Sequence, residues 1–375
     1  MELVVVFKAI VHLVISPWVV RRSKVSERPI LYSTAMRHAR IVLEHIAKQE
    51  GGIAYKSPVA PNIAKLKSAF LKRVYSKYAT EIYRHADRKR LVFVNWGYSA
   101  YDRLGFYPED LGFDNRYIEN DLFGFGRDQN RPVVGYLIDR QRPYFDGRGP
   151  TDMEQMLNAY ESGAWKSDPA ALTFLETLRA AKMHKYSQFS AGAESLSVNH
   201  DDLLIFGQVE RDAAWVKNLS SVKTNVELIA KAIESVPGVR NIYFKAHPKH
   251  KPWPQDQVEI ARLFPQITQI DPAVSFKSLL VNQPSVFVNT SGTGLDAGLA
   301  GCKVYSAGLA FYSGWGATVD VGPVTDRRKN RLTFEDIVIV ICTQYSRYFF
   351  RENFATASIV DLTSDMQRAL VKQTS

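Results

Sequence analysis

Three segments decide the fold: LLIFGQVERD at 203–212, NIYFKAHPKH at 241–250 and SVFVNTSGTG at 285–294. Each begins with a short apolar run, typical of a buried strand, and then turns polar or glycine-rich. Helical patterns separate them at 222–236, near 257–264 and at 295–300, and further short strands are predicted at 267–270 and 303–305. Strands that alternate with helices predict βαβ units and a parallel sheet with helices on both faces.

The rest of the chain predicts a second lobe. Strands are expected at 91–95 and 133–138, and helices from Thr151 onward and over 170–183. Apolar spacing over 37–47 and 63–82 predicts that the first ninety residues are mostly helical. A chain of 375 residues has room for two cores. We therefore predict an α/β protein with two Rossmann-like lobes.

Four segments follow as predicted domains. Residues 1–55 form an N-terminal helical segment, 56–195 the N-terminal lobe, 196–330 the C-terminal lobe and 331–375 the C-terminal helices.

The charge balance favours an anionic partner. Lys and Arg number 48 against 38 Asp and Glu, a formal net charge of +10, which suits nucleic acid, lipid headgroups or an acidic sugar nucleotide. The sequence contains no zinc-finger, helix-turn-helix or RNP-like pattern, which argues against nucleic acid. Two isolated cysteines, Cys302 and Cys342, indicate neither a disulfide framework nor a zinc site and fit the cytoplasm.

The apolar stretch at 4–20 has two interpretations. It carries Lys8, His12 and Ser16 at helical spacing, and Trp18 and a basic cluster follow. At 1.5 Å per residue such a helix is about 25 Å long, short of the roughly 30 Å hydrocarbon core, so spanning is not expected. It lacks the features of a cleaved secretory signal. Either the helix lies in the inner-membrane interface or it packs on the protein's own core.

Polar residues follow the predicted strands at the edge where parallel sheets bind ligands. Gln208 and Asp212 are four residues apart and would share one face of a helical turn. His247, held by Pro248, stands between Lys245 and Lys249, a group suited to a phosphate oxygen. Plain alternatives are an acidic helix start and a solvated basic loop.

The third loop predicts an anion site. Thr290, Ser291, Gly292 and Gly294 precede and begin a helix that contains Asp296, so bare amide hydrogens would face a ligand. The alternative is an ordinary glycine-containing helix start. The sequence has no Asp-x-Asp pair, the usual holder of a metal-bridged sugar diphosphate. A monophosphate leaving group, as in CMP-activated sugars, needs no metal, and we expect neither metal nor cofactor.

The segments GLAFYSGWGATVD at 308–320 and RRKNRLT at 327–333 resemble a signature of capsule polysaccharide β-Kdo glycosyltransferases. The segments 208–212, 247–248 and 290–296 are similar to further motifs of that family, as is 135–157. The resemblance covers about residues 90–345. One segment departs: the family has E-D-G-F-x-R-S where this chain has ENDLFGF at 119–125, and only Glu119 aligns.

The resemblance implies a GT-B-type, metal-independent enzyme that transfers Kdo from CMP-Kdo to a capsule or other surface glycan with retention. Asp212 would be the nucleophile and Glu119 the acid/base, with Gln208 beside them. The 56–195 lobe would hold the acceptor and the 196–330 lobe the CMP-sugar. The implied substrate-binding residues are His247, Pro248, Lys245, Lys249, Thr290, Ser291, Gly292, Gly294, Asp296, Tyr312 and Trp315.

Other functions stay open at this stage. A sialyltransferase-like enzyme would use a different CMP-sugar, and a capsule-assembly protein could keep the fold without catalysis. The expected partners are a CMP-sugar donor, a glycan or glycolipid acceptor and the inner-membrane surface, with no nucleic acid. The expected location is the cytoplasm, at the cytosolic face of the inner membrane.

Overall fold

The computed structural model describes residues 2–33, 40–57, 59–124, 131–180, 196–248, 253–271 and 274–374. The chain divides into two compact units. The first comprises 1–121, 129–143 and 347–356, and the second comprises 122–128, 144–346 and 357–375. Each unit is built around one six-stranded sheet.

The first unit has a mixed sheet. Its strands occur in the order β12-β5-β4-β3-β1-β2; β2, β1, β3 and β4 are mutually parallel and β5 pairs antiparallel with β4. The strands are β1 (Ile30–Ser33), β2 (Ile53–Lys56), β3 (Leu91–Trp96), β4 (Asp114–Asn120), β5 (Val133–Asp139) and β12 (Ser346–Phe350). The helices are α1 (Glu2–Val25), α2 (Arg40–Gln49), α3 (Ala69–Arg84) and α4 (Ser99–Leu104), with 3₁₀ turns at Ile63–Lys65 and Pro108–Leu111.

Several predictions for this unit are wrong or incomplete. The first ninety residues are mostly helical, as predicted, with 50 of them in α1, α2 and α3, but the sequence does not predict β1 and β2, which lie at one edge of the sheet. The predicted boundary between 55 and 56 falls inside β2, and the predicted C-terminal helical segment supplies β12. β4 lies between the predicted strands 91–95 and 133–138, in a stretch for which no strand is predicted. These strands are short and interrupted by polar residues, so their pairing depends on distant partners rather than on local pattern.

The second unit has an all-parallel sheet in the order β8-β7-β6-β9-β10-β11. Its strands are β6 (Leu203–Phe206), β7 (Ile242–Lys245), β8 (Ile267–Ile270), β9 (Ser285–Val288), β10 (Val304–Ser306) and β11 (Val319–Asp320). In chain order this is the 3-2-1-4-5-6 arrangement of nucleotide-binding doubly wound sheets. The predicted strands and parallel sheet are confirmed here.

Eight helices of this unit are described: α5 (Asp152–Ala159), α6 (Pro169–Ala180), α7 (Ala213–Val216), α8 (Asn225–Ser235), α9 (Trp253–Leu263), α10 (Thr293–Leu299), α11 (Phe334–Val340) and α12 (Ile359–Thr374). Short 3₁₀ turns occur at Ala164–Ser167 and Ser278–Leu280, and a π-helical turn, Ile341–Tyr345, follows α11. Residues 37–39 and 181–183 of two predicted helices lie outside the described residues.

The central strands explain why the parallel sheet forms. The side chains of Leu203, Leu204 and Ile205 are fully buried, as are those of Val286, Phe287 and Val288. Helices cover both faces of a parallel sheet, so its middle strands are continuous apolar runs rather than alternating ones. Leu228, Ile229 and Ala232 of α8 pack against the same core. The polar residues that follow these strands are thereby held at one edge.

Candidate functional site

The carboxyl ends of β9, β6 and β7 lie side by side. β6 pairs with β9 through Ile205 and Phe287, and with β7 through Phe206 and Lys245. The chain winds from β6 to β7 and β8 on one side and continues with β9 on the other, so the switch in strand order falls between β6 and β9. Ligands of such sheets bind at this point. We call residues 207–212, 246–248 and 289–292 the switch-point loops.

Gln208 joins two of these loops across the switch point. Its Nε2 donates to Thr290 Oγ1 at 3.2 Å, and the Thr290 amide donates to Gln208 Oε1 at 3.4 Å. Both side chains are buried. The sequence predicts a catalytic role for Gln208, whereas its amide is already engaged within the protein. In the structure Gln208 acts as a positioning residue that ties the loop after β6 to the loop after β9.

Asn225 supports Gln208 from the other side. The buried Asn225 side chain accepts from the Gln208 amide and donates to the Gln208 carbonyl, both at 3.0 Å. Gly207 is needed beside them, because a side-chain carbon there would lie 2.8 Å from the Phe244 ring. Buried amide pairs of this kind are costly to break, so the loop after β6 is rigid as far as Gln208.

Asp212 caps the short helix α7. Its side chain is exposed, and Oδ1 accepts from the Ala214 amide at 2.9 Å. The prediction that Gln208 and Asp212 share a helical face is wrong, because the helix begins only at Ala213. A hydrogen bond of 2.8 Å from Thr290 Oγ1 to the Ala214 carbonyl ties this turn to the loop after β9. Asp212 therefore lies two residues before Ala214, whose carbonyl accepts a hydrogen bond from Thr290, the residue before Ser291.

The loop after β7 contributes His247 and Lys245. His247 is half-buried and Pro248 is exposed, whereas Lys249 lies outside the described residues. Lys245 is buried and donates to the Asp271 carbonyl at 3.4 Å. Burial lowers the pKa of Lys245 to about 8, and Asp271 partly opposes that shift. A lysine with a lowered pKa at this edge is suited to an anionic ligand, because the negative charge of the ligand favours the charged form of the lysine.

Ser291 and the start of α10 are arranged differently from the prediction. The amide of Thr293 donates to Ser291 Oγ, and the amide of Gly294 donates to the Ser291 carbonyl at 3.1 Å. The amides of Leu295 and Asp296 donate to Gly292. The amides of residues 293–296 are therefore not bare, whereas for the amides of Ser291 and Gly292 the expectation stays a prediction. What the loop offers is the half-buried Ser291 hydroxyl, which also contacts the Thr293 hydroxyl at 3.0 Å.

Asp296 is paired electrostatically with Lys277, which sequence reasoning missed. Burial raises the pKa of Asp296 to about 7, and the positive charge of Lys277 opposes that rise. Lys277 is a half-buried residue in the segment before β9. Its only signal in the sequence is a cation inside the apolar run 276–281. A carboxyl group with a pKa near neutrality at this edge is a candidate for proton chemistry or for contact with a ligand.

The predicted signature residues Tyr312 and Trp315 are fully buried. The Tyr312 hydroxyl donates to the Ser291 carbonyl, and Trp315 Nε1 donates to the Phe311 carbonyl at 3.0 Å. Gly294 must be glycine, because a side-chain carbon there would lie 2.2 Å from the Tyr312 hydroxyl. Tyr312 therefore supports the loop after β9 from behind, whereas the Trp315 hydrogen bond stays within the signature segment. The sequence names them as substrate-binding residues, but the structure places them beneath the surface.

A buried ion pair holds this signature loop, residues 308–316. The Glu154 carboxylate of α5 accepts from Arg328 Nε at 2.8 Å and from Arg327 Nε at 3.0 Å. Arg328 also donates to the carbonyls of Ala310 and Ser313. Glu154 appears in the sequence only as part of a helix-capping pattern. The Thr151 side chain does cap that helix at the Glu154 amide, but the Glu154 carboxylate is turned to the arginines.

The remaining predicted residue, Glu119, lies on β4 in the first unit, where it is half-buried and opposite Leu137 of β5. Across the described ranges, no group of three His, Cys, Asp or Glu side chains could hold a metal ion.

Comparison with known proteins places the second unit in a family. The family model described as capsule polysaccharide biosynthesis protein matches residues 148–348. The capsule polysaccharide modification protein LipA of Neisseria meningitidis serogroup B is 27% identical over 228 residues, which cover 59% of this chain and 31% of that protein. The lipopolysaccharide-processing protein LpsZ of Rhizobium meliloti is 27% identical over 278 residues, 68% of this chain and 59% of that protein. The chain thus spans between about a third and three fifths of the length of these relatives.

Two solved structures share the fold. They are the beta Kdo 2,7 transferase and the beta Kdo 2,4 transferase of KpsC from Thermosulfurimonas dismutans, with TM-scores of 0.61 and 0.63. Each is 18% identical, and each comparison covers 91% of this chain and nearly all of the other. The predicted GT-B-type fold with two α/β units is thereby confirmed. Because the family model matches more than half of the chain, this protein belongs to the capsule polysaccharide biosynthesis protein family.

Proposed function

We propose that the protein is a retaining glycosyltransferase that moves Kdo from CMP-Kdo to a capsule or other surface glycan. One observation carries the proposal. The Thr290–Ala214 hydrogen bond joins the helical turn that the exposed Asp212 caps to the loop that carries Ser291, at the switch point of the parallel sheet. A carboxylate next to a phosphate-binding loop is what retaining transfer from a sugar phosphate requires.

In this proposal the CMP phosphate binds between His247 and the Ser291 hydroxyl. Both residues are half-buried, and each follows the end of a strand, by two residues after β7 and by three after β9. Lys245 and Lys249 supply positive charge for the phosphate or for the Kdo carboxylate. A leaving group with one phosphate is neutralised by these side chains, and we propose that transfer needs no metal ion.

The chemistry runs in two displacements. The Asp212 carboxylate attacks the anomeric carbon of Kdo as the bond to the phosphate oxygen breaks, and CMP leaves with the electron pair. An acceptor hydroxyl then attacks the same carbon, the bond to Asp212 breaks, and the hydroxyl proton passes to a general base. Two inversions give overall retention. The assignment of Glu119 as that acid/base stays a prediction, to be tested by the transfer rate of Glu119→Gln.

The names of the similar proteins support Kdo as the transferred sugar and a surface glycan as the acceptor. The two KpsC structures are named as Kdo transferases, and LipA and LpsZ are named for capsule modification and lipopolysaccharide processing. The acceptor in our proposal is accordingly a glycan or glycolipid, met at the cytosolic face of the inner membrane.

A donor panel tests the proposal directly. The purified protein is incubated with a lipid-linked or synthetic glycan acceptor and either CMP-Kdo or CMP-sialic acid, with and without a chelator, and the products are read by mass spectrometry. We expect addition of Kdo only, unchanged by chelation. Addition of sialic acid instead would make it a sialyltransferase-like enzyme, and no product or CMP release from either donor would favour a non-catalytic assembly role.

The nucleophile is tested with Asp212→Asn. Asparagine caps a helix as well as aspartate does, so α7 and the stability of the protein should be preserved. The amide cannot attack the anomeric carbon, and we expect the transfer rate to fall by about a thousandfold or more. Asp201→Asn is the matched control, because Asp201 is also exposed but precedes β6 at the opposite edge of the sheet. Near-normal transfer by Asp212→Asn would eliminate the assignment.

A further inference from the structure

Helix α1 buries two of its uncharged polar side chains in the core of the first unit. His12 and Ser16 are almost fully buried, and the His12 ring contacts the hydroxyls of Tyr32 at 2.6 Å and Tyr75 at 3.0 Å. Tyr83 donates to Ser16 at 3.3 Å. Burial lowers the pKa of His12 to about 4, so the ring is neutral at pH 7. Of the predicted polar stripe, His12 and Ser16 therefore pack in the core of the first unit, whereas Lys8 is exposed.

The opposite face of α1 is apolar and exposed. Relative exposures are 67% for Phe7, 73% for Val14 and 53% for Trp18, and Leu3 and Ile10 complete the series at 85% and 58%. The spacings of four, three, four and four residues place these side chains in one stripe about 22 Å long. Soluble proteins seldom leave a continuous apolar stripe in water, so we expect another molecule to cover this face.

The charges around the stripe are almost all positive. Arg21, Arg22 and Lys24 lie exposed at its end, and Lys8 lies exposed on its flank. Within α1 the only acidic residue is Glu2, whose carboxylate accepts from the amides of Lys67 and Ser68 at the start of α3. The neighbouring first turn of α3 adds an exposed apolar side chain, Phe70 at 73%. The Arg22 guanidinium lies 5.2 Å from the Trp18 ring centroid.

We propose that the outward face of α1, from Leu3 to Trp18, docks in the plane of an anionic lipid bilayer. An apolar stripe that ends in a tryptophan and a basic cluster matches the acyl boundary and the phosphate headgroups of such a surface. A second copy of the chain fits this face less well than an anionic bilayer does, because it would place the basic residues of the two copies next to one another. By length and composition α1 could cross a membrane, but its other face is packed on the first unit, so it lies on the bilayer rather than through it.

Vesicle sedimentation of the full-length protein tests this inference. The vesicles contain phosphatidylcholine alone or with about a third of phosphatidylglycerol. We expect binding to the anionic vesicles and weak binding to the neutral ones, with affinity falling as salt is raised. No sugar donor is present, so failure here leaves the proposed transfer reaction untouched, and failure of transfer leaves this result standing.

Two variants and two matched controls separate the apolar and the ionic contributions. Phe7→Ser with Val14→Ser, and Arg21→Glu with Arg22→Glu, should each weaken binding to anionic vesicles by about tenfold or more. The controls are Val258→Ser with Val324→Ser, at similar exposures of 71% and 73%, and Arg240→Glu with Arg262→Glu in the second unit. Thermal unfolding confirms that each variant is folded.

Three outcomes would overturn the inference. The first is no binding of the wild-type protein to anionic vesicles. The second is binding that the α1 variants reduce no more than the controls. The third is a dimer in light scattering that Phe7→Ser with Val14→Ser abolishes, which would make a second copy the cover of this face.

Discussion

The signature loop and the switch-point loops belong to the same unit, yet they differ in almost every physical respect. In the signature loop Tyr312 and Trp315 are fully buried, and Arg328, which donates to two carbonyls of that loop, is also buried. In the switch-point loops Asp212 is exposed and His247 and Ser291 are half-buried. The most unusual stretch of the sequence is thus packed interior, whereas ordinary residues occupy the edge where a ligand can bind.

This difference separates residues that support the structure from residues that a ligand can reach. Tyr312 and Arg328 fix the signature loop, and Tyr312 reaches from it to the Ser291 carbonyl. Aromatic, glycine and arginine residues are distinctive in sequence because each must fit a fixed shape or satisfy a buried partner. We therefore expect changes in the signature loop to lower stability first, and changes in the switch-point loops to lower ligand binding or transfer with stability preserved.

The largest effect on stability is expected for Glu154→Gln. The substitution leaves Arg328, whose side chain is 2% exposed, without its buried counter-charge. Burial already lowers the pKa of Arg328, which Glu154 counteracts. Removing one partner of a buried ion pair costs about 3–5 kcal/mol. Chemical denaturation measures the free energy of unfolding.

Glu335→Gln is the matched control for that change. Glu335 pairs with Arg179 at 2.5 Å, but both side chains reach solvent, and an exposed pair contributes about 1 kcal/mol or less. Equal losses in the two variants would show that the Glu154 pair is no stronger than a surface contact. That result would contradict the proposed contrast between the buried signature loop and the exposed switch-point loops.

What the sequence could predict follows from the range of the interactions involved. The strands 203–206 and 285–288 are continuous apolar runs, so local pattern is enough to find them and the polar loops that follow. The Glu154–Arg328 pair joins residues 174 apart, and β12 pairs with β5, which lies more than 200 residues upstream, so no local pattern reveals them. The apolar run at 4–20 predicts helix α1, but the face that packs on the core holds the polar residues His12 and Ser16 beside apolar ones. Tyr32 and Tyr75 contact His12 and allow its burial.

His247→Ala is expected to weaken CMP binding, an effect smaller than the loss of stability in Glu154→Gln and of a different kind. If His247 holds the CMP phosphate, its loss removes a hydrogen bond to a charged group and lowers CMP affinity by about 1.5–3 kcal/mol. The side chain is half-buried at a loop, so the free energy of unfolding should change little. Calorimetric titration with free CMP measures the affinity.

His200→Ala provides the comparison for this loss. His200 is exposed in the same unit, before β6, and its Nδ1 lies 3.1 Å from the Gln283 carbonyl. CMP affinity in His200→Ala should equal that of the wild type. An unchanged affinity in His247→Ala would remove His247 from the phosphate site and leave the phosphate without its proposed imidazole partner.

The smallest effect is expected where the two regions meet. Tyr312→Phe removes the hydroxyl that donates to the Ser291 carbonyl but keeps the buried ring. A lost neutral hydrogen bond costs about 0.5–1.5 kcal/mol of stability, and a slightly freer Ser291 loop should weaken CMP binding by no more than about threefold. Tyr243→Phe, at a half-buried tyrosine of β7, controls for the loss of a hydroxyl elsewhere in the sheet. If instead CMP affinity falls as far as in His247→Ala while stability is unchanged, Tyr312 contacts the ligand itself, and the boundary between supporting loop and binding edge must be moved to include it.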